Sequence, residues 1–96
     1  MSLLSEEQIR AELRALPGWE LRGGALEKTF DCRHFDGSMA FVNALAAVAN
    51  ELDHHPDLTI SWNAVTCSLS SHDAGGITER DLRLARAIEQ IGGRKE

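Results

Sequence analysis

Apolar residues recur along this chain with two alternating periods, and the changes of period mark out its elements. Near the start, Ile9, Leu13 and Leu16 are spaced as on one helix face, Ser5 with Gln8 three places on forms a capping box, and Pro17-Gly18 stop the pattern. Trp19 to Arg22 and Ala25 to Cys32 read as two strands joined by Gly23-Gly24, a pair suited to the positive φ angles of a tight primed turn. Leu26, Phe30 and Cys32 share one face of the second strand, which Lys28 interrupts. From Phe35 to Asp53 the period becomes helical: Phe41, Leu45, Val48 and Leu52 form a stripe widened by Val42, Ala46 and Ala49. Pro56 cannot continue that helix and biases His55 away from the α region, which puts His54 and His55 at its exit.

Strict alternation then returns. Leu58, Ile60 and Trp62 alternate with Thr59 and Ser61, and Val65, Cys67 and Leu69 alternate with Thr66, Ser68 and Ser70, predicting two strands that turn near Asn63. After Gly75-Gly76, Thr78 with Asp81 three places on is a helix-start signature, and Leu84, Ile88 and Ile91 carry a third helix to Gly92-Gly93. The order αββαββα predicts an α+β fold in a single domain over residues 1–96. Two hairpins imply a four-stranded antiparallel sheet with the three helices packed on one face, leaving the other solvated or used for assembly.

Composition narrows the function classes. The chain has 96 residues, enough for one domain and too few for a separate cofactor domain. Ten Lys and Arg against fifteen Asp and Glu give a formal net charge of -5, so no global field favours a phosphate backbone, and nucleic acid is not an expected partner. Cys32 and Cys67 form no C-x-x-C and fit two reduced thiols, most simply small buried hydrophobes. Met1 to Arg10 lacks the pattern of a signal peptide, and no stretch approaches the length of a membrane span, so the expected setting is cytoplasmic with no membrane partner. There is no G-x-S-x-G elbow, no P-loop, and no helix-start context that activates either thiol.

The chemistry concentrates on histidine. Three of the four, His54, His55 and His72, fall around the exit of the long helix and the end of the second hairpin. Histidine has an unperturbed pKa of about 6.5 and exchanges protons near neutrality. Such a cluster suits proton transfer or a metal, but no H-E-x-x-H or Cys/His ligand spacing supports a metal site. A lone histidine at a helix end has a plainer use, facing the helix dipole. His34 lies outside the cluster and reads as a surface or helix-start residue.

The run Asp53-His54-His55-Pro56, then Trp62, His72 and Asp81 at fixed intervals, resembles the pterin-4a-carbinolamine dehydratase family. Gly18-Trp19, Phe35 at the start of the long helix, and the run from Ser71 through Gly75-Gly76 to Asp81 extend the resemblance over nearly the whole chain. It implies dehydration of a 4a-hydroxytetrahydropterin to the quinonoid dihydropterin, with no metal and no organic cofactor. It implies His54, His55 and His72 as active-site histidines, with His54 and His72 sharing the acid and base roles and His55 binding the pterin. Asp81 is then a supporting residue as well as a helix cap, and the protein a homodimer or homotetramer. Trp62 either walls the flat substrate or, as the alternating strand favours, belongs to the core or an interface; Trp19 lines the pocket or closes the sheet edge.

One position departs from the family pattern. Four residues before His54 the family commonly carries glutamate, and this chain has Asn50, with Glu51 next to it. Helical spacing puts Asn50 one turn behind His54 and Glu51 one turn behind His55. An amide hydrogen-bonds a histidine but exchanges no proton. Asn50 therefore keeps a rival open: a protein of the same fold that binds a pterin or a partner protein with little turnover.

Overall fold

The computed structural model describes residues 2–92, so Met1 and the Gly93 expected to end the last helix lie outside the described residues. The order is α1 (Glu6–Leu13), β1 (Glu20–Arg22), β2 (Ala25–Asp31), α2 (Phe35–Leu52), β3 (Asp57–Ser61), β4 (Ala64–Leu69) and α3 (Glu79–Gly92), as the periodicity predicts. Local chemistry sets most of the boundaries. Gln8 N–H donates to Ser5 Oγ at 3.1 Å while Ser5 N–H donates to Gln8 Oε1 at 2.8 Å, the reciprocal capping box that starts α1. Gly23 and Gly24 take φ of 59° and 80°, which closes the first hairpin. His34 caps α2, its Nδ1 accepting from Gly37 N–H at 3.0 Å.

The sheet runs β1-β2-β4-β3 and is antiparallel throughout. The central pair aligns Leu26 with Leu69 and Phe30 with Val65, so its inward residues meet on one face. Ile9 of α1, Leu45 and Ala49 of α2, and Leu84 and Ile88 of α3 join Val65, Cys67 and Leu69 in a single buried cluster, which places all three helices on that face. The opposite face is polar: Thr29 and Thr66 share a hydroxyl hydrogen bond at 2.8 Å, and Ser68 Oγ donates to Glu27.

Lys28 interrupts the inward face of β2 without breaking it. Its ammonium lies 4.7 Å from the Phe30 ring centroid, donates to the Pro17 carbonyl at 2.9 Å and pairs with Glu89 of α3. Glu89 also accepts from Trp19 Nε1–H at 2.8 Å. Trp19 is thus a core residue tying the start of β1 to α3, with its one polar atom satisfied. The stripe of α2 is centred differently from the expectation: Ser38, Phe41, Leu45 and Ala49 are buried, and Ala46 is exposed. Ser38 tolerates burial because its hydroxyl donates to the Trp62 carbonyl at 2.6 Å.

Candidate active site

The exit of α2 sets the site. Asp53 adopts the left-handed conformation, φ 55° and ψ 41°. His54 N–H then donates to the Ala49 carbonyl at 3.1 Å and Asp53 N–H to the Asn50 carbonyl at 3.2 Å, the paired closure of a Schellman motif. The chain leaves the helix at this point, and Pro56 leads it into β3. Because Asp57 pairs with Ser68, the two histidines enter β3 beside the end of β4, the end from which the His72 loop departs.

His54 is directed inward. Its side chain is 10% exposed, and Nε2 lies 2.6 Å from Oδ1 of Asp81, which has no exposure at all. The second oxygen, Oδ2, accepts from Ser71 Oγ–H at 2.8 Å and from Thr78 N–H at 2.9 Å. Thr78 Oγ1 accepts from Arg80 N–H at 3.2 Å, so Thr78 caps α3 while Asp81 completes the cap from inside its first turn. The cap and the contact with His54 thus use different oxygens of Asp81. With Asp81 accepting, the His54 ring donates through Nε2 and keeps Nδ1 as its basic nitrogen. No fully buried side-chain nitrogen or oxygen among the described residues lacks a hydrogen-bond partner, so Nδ1 of His54, which makes no hydrogen bond there, is not fully enclosed. A ring held by a buried carboxylate with its other nitrogen free is the arrangement of an oriented acid/base.

His72 is exposed on a loop closed by the Ser71–Gly76 bridge. The Ser71 carbonyl accepts from Ala74, Gly75 and Gly76 N–H, at 3.0, 2.9 and 3.3 Å. The glycine N–H groups thus close the turn itself. Arg80 clasps the same loop, donating to Asp73 Oδ1 at 2.7 Å, and that hydrogen bond holds the Asp73 carboxyl below its ordinary value. Asp81 thus links His54 to Ser71, the residue preceding His72.

Two expectations need correction. Asn50 does not back His54: its Oδ1 accepts from Nε2 of His55 at 2.9 Å. The left-handed turn at Asp53 ends the helical phase, so spacing counted along α2 no longer predicts neighbours beyond it. Trp62 is not on a strand and not in the core. It occupies the β3–β4 turn with φ 52° and is 67% exposed, at the far end of β3 from His54 and His55. Five strand residues separate the two ends, roughly 17 Å at about 3.3 Å per residue, too far to share a pocket within one chain. A surface cleft of about 520 Å³ lined by Phe30, Cys32, His34 and Phe41 also lies toward the Trp62 end.

Ser71 was missed as a site residue. It continues the inward phase of Val65, Cys67 and Leu69, and a hydroxyl in an apolar register was the available signal. Among the described residues no three His, Cys, Asp or Glu side chains are grouped to hold a metal ion. Both cysteines are free; burial pushes the Cys67 thiol up to about 12 and raises that of Cys32 as well. No described helix is long and apolar enough to cross a membrane.

Comparison with known proteins gives the family and the fold. Residues 2–91 match the family model described as pterin 4 alpha carbinolamine dehydratase. A protein of Thermosynechococcus vestitus named "Putative pterin-4-alpha-carbinolamine dehydratase" is 51% identical over 88 residues, 92% of this chain and 93% of its own length. One of the same name from Thermomicrobium roseum is 46% identical over 91 residues, 95% of this chain and 98% of its own. The crystal structure of a transcriptional coactivator/pterin dehydratase from Brucella melitensis superposes with a TM-score of 0.91 at 33% identity, covering 96% of this chain and 100% of that one. A pterin dehydratase-like RuBisCO assembly factor of the alpha-carboxysome shares the fold, with a TM-score of 0.64 at 23% identity over 80% of this chain and 89% of its own.

Proposed function

The chain belongs to the pterin 4 alpha carbinolamine dehydratase family, and we propose from its site that it converts a 4a-hydroxytetrahydropterin to the quinonoid dihydropterin and water by histidine acid/base catalysis. In this reaction the C4a–oxygen bond breaks and a proton reaches the departing hydroxide. A ring nitrogen gives up a proton, and its electron pair forms the new double bond to C4a. No electrons enter or leave, so two well-placed proton-transfer groups account for the whole conversion. Each is typically worth about 10²–10⁴ in rate.

His54 and His72 take the acid and base roles in this reading, and His55 binds and orients the pterin. The observation that carries it is the hydrogen bond from His54 to buried Asp81, which leaves Nδ1 open to a ligand. His55 is held instead by Asn50, a neutral amide that fixes a ring without exchanging protons, which fits an orienting role. Steady-state kinetics of the alanine variants test the division. His54→Ala and His72→Ala lower kcat, His55→Ala chiefly raises KM, and the reverse pattern would overturn the assignment.

A second reading, a protein that binds a pterin or a partner protein with little turnover, draws on Asn50, because residue 50 brings no titrating group to His55. Pterin binding without faster loss of the carbinolamine would favour it. In either case the protein acts as a homodimer or homotetramer. The free edge of β3 and the exposed side chains of Phe35, Ile60 and Trp62 support assembly, which sedimentation equilibrium measures.

A further inference from the structure

We infer that the buried hydroxyl of Ser71 is a positioning residue that fixes the Asp81 carboxylate in the orientation presented to His54. Its catalytic consequence rests on the dehydratase reading, and its geometry does not.

Ser71 has no solvent exposure. Its single hydroxyl proton lies between two candidate acceptors, Asp81 Oδ2 at 2.8 Å and Thr78 Oγ1 at 2.9 Å. A carboxylate oxygen offers no proton in return, so Ser71 donates to Asp81 and Thr78 donates to Ser71. Thr78 Oγ1 in turn accepts from Arg80 N–H at 3.2 Å, which orders the series from the helix backbone through two hydroxyls to the carboxylate. Every donor then points toward Asp81, the arrangement in which successive hydrogen bonds reinforce one another.

The carboxylate retains one freedom, rotation about its own Cβ–Cγ bond. Ser71 O–H and Thr78 N–H meet Oδ2 from two directions and remove that freedom, leaving Oδ1 aimed at Nε2 of His54. With Ser71 hydroxyl absent, Thr78 N–H still satisfies Oδ2, so the fold survives but the carboxylate swings on a single donor. Ser71 has a second attachment to the site. Its N–H donates to the Gly76 carbonyl at 2.8 Å, and its carbonyl gathers three N–H groups of the loop that displays His72. One buried residue therefore sets the acid behind the first histidine and anchors the loop of the second.

The test compares Ser71→Ala with wild type, Ser71→Thr as the variant that restores a hydroxyl, and Ser70→Ala as a neighbouring control. In the free protein, the N–H proton between His54 and Asp81 is observed by NMR, where a strong charge-assisted hydrogen bond gives a far-downfield, slowly exchanging resonance. In Ser71→Ala this resonance moves upfield and exchanges at least about tenfold faster. In the same variant kcat falls about tenfold, the loss expected for one hydrogen bond to a charged group, while KM stays within about twofold. Ser71→Thr recovers both readouts and Ser70→Ala alters neither. Should the extra methyl of threonine not fit, Ser71→Ala alone decides. An unaltered resonance and exchange rate in Ser71→Ala would overturn the inference whatever the activity. An altered resonance in a series where even wild type fails to turn over would uphold it while sinking the dehydratase reading.

Discussion

Nε2 of His54 lies 2.6 Å from Oδ1 of Asp81, and the other oxygen of that buried carboxylate closes the first turn of α3. One side chain thus serves both stability and the site, and two substitutions separate these uses. Asp81→Ala removes a cap worth about 1 kcal/mol and leaves buried donors unmatched at a further cost of about 1–3 kcal/mol, so urea unfolding registers a loss of roughly 2–4 kcal/mol. Asp81→Asn keeps the shape but can turn an N–H toward Nε2 and force the other tautomer. It loses less stability, and kcat falls by about 10² or more.

Asn50 accepts from His55, not His54, so under the proposed division of roles its loss tells on binding. Asn50→Ala removes one hydrogen bond and raises KM by about two- to tenfold with little change in kcat, measured in the steady state. Asn50→Glu sets a carboxylate against the same ring, which favours the imidazolium. Steady-state kinetics of the variant find the change in KM, with kcat little altered.

The Arg80 clasp holds Asp73 below its ordinary value, so the sign of its pH dependence is fixed. A depressed carboxylate contributes above its unfolded pKa of about 3.9, and the contribution is lost only as pH falls through the lower folded value. Between pH 5 and 9, as round bounds above that value, the clasp does not titrate. Asp73→Asn therefore gives a pH–rate profile of wild-type shape, uniformly lowered by up to about fivefold as the His72 loop loosens.

Cys67 predicts a loss of stability at high pH. Burial among apolar neighbours raises its thiol to about 12, from an ordinary value of 9.0. The neutral thiol in the fold is at no disadvantage below pH 9.0, but above it the unfolded chain ionises first. Stability falls with a slope of up to about 1.4 kcal/mol per pH unit until the folded thiol ionises too. Cys67→Val removes this slope, and denaturation curves at a series of alkaline pH values measure it. In the native protein Cys67 also resists thiol reagents that modify it after unfolding.

Much of the fold was legible because its signals are local. The capping box at Ser5, the Gly23-Gly24 turn and the alternation through Val65, Cys67 and Leu69 each act within a few residues of themselves. What was not legible depends on distant partners or on a change of phase. Lys28 finds Glu89 61 positions away, and Ser38 finds the Trp62 carbonyl 24 positions away. The histidines stand out in the sequence, but the helix-end turn at Asp53 decides that Asn50 meets His55. Trp62 carried an alternation one residue too far, into a turn that exposes it.

The most direct measurement is stopped-flow absorbance on freshly generated 4a-hydroxytetrahydropterin with wild type and His54→Ala. Wild type accelerates loss of the carbinolamine over the buffer rate, and His54→Ala forfeits about 10²–10⁴ of that acceleration at saturating substrate. No acceleration by wild type, or a His54→Ala variant with unchanged kcat and only a raised KM, would contradict an acid/base site built on His54 and Asp81.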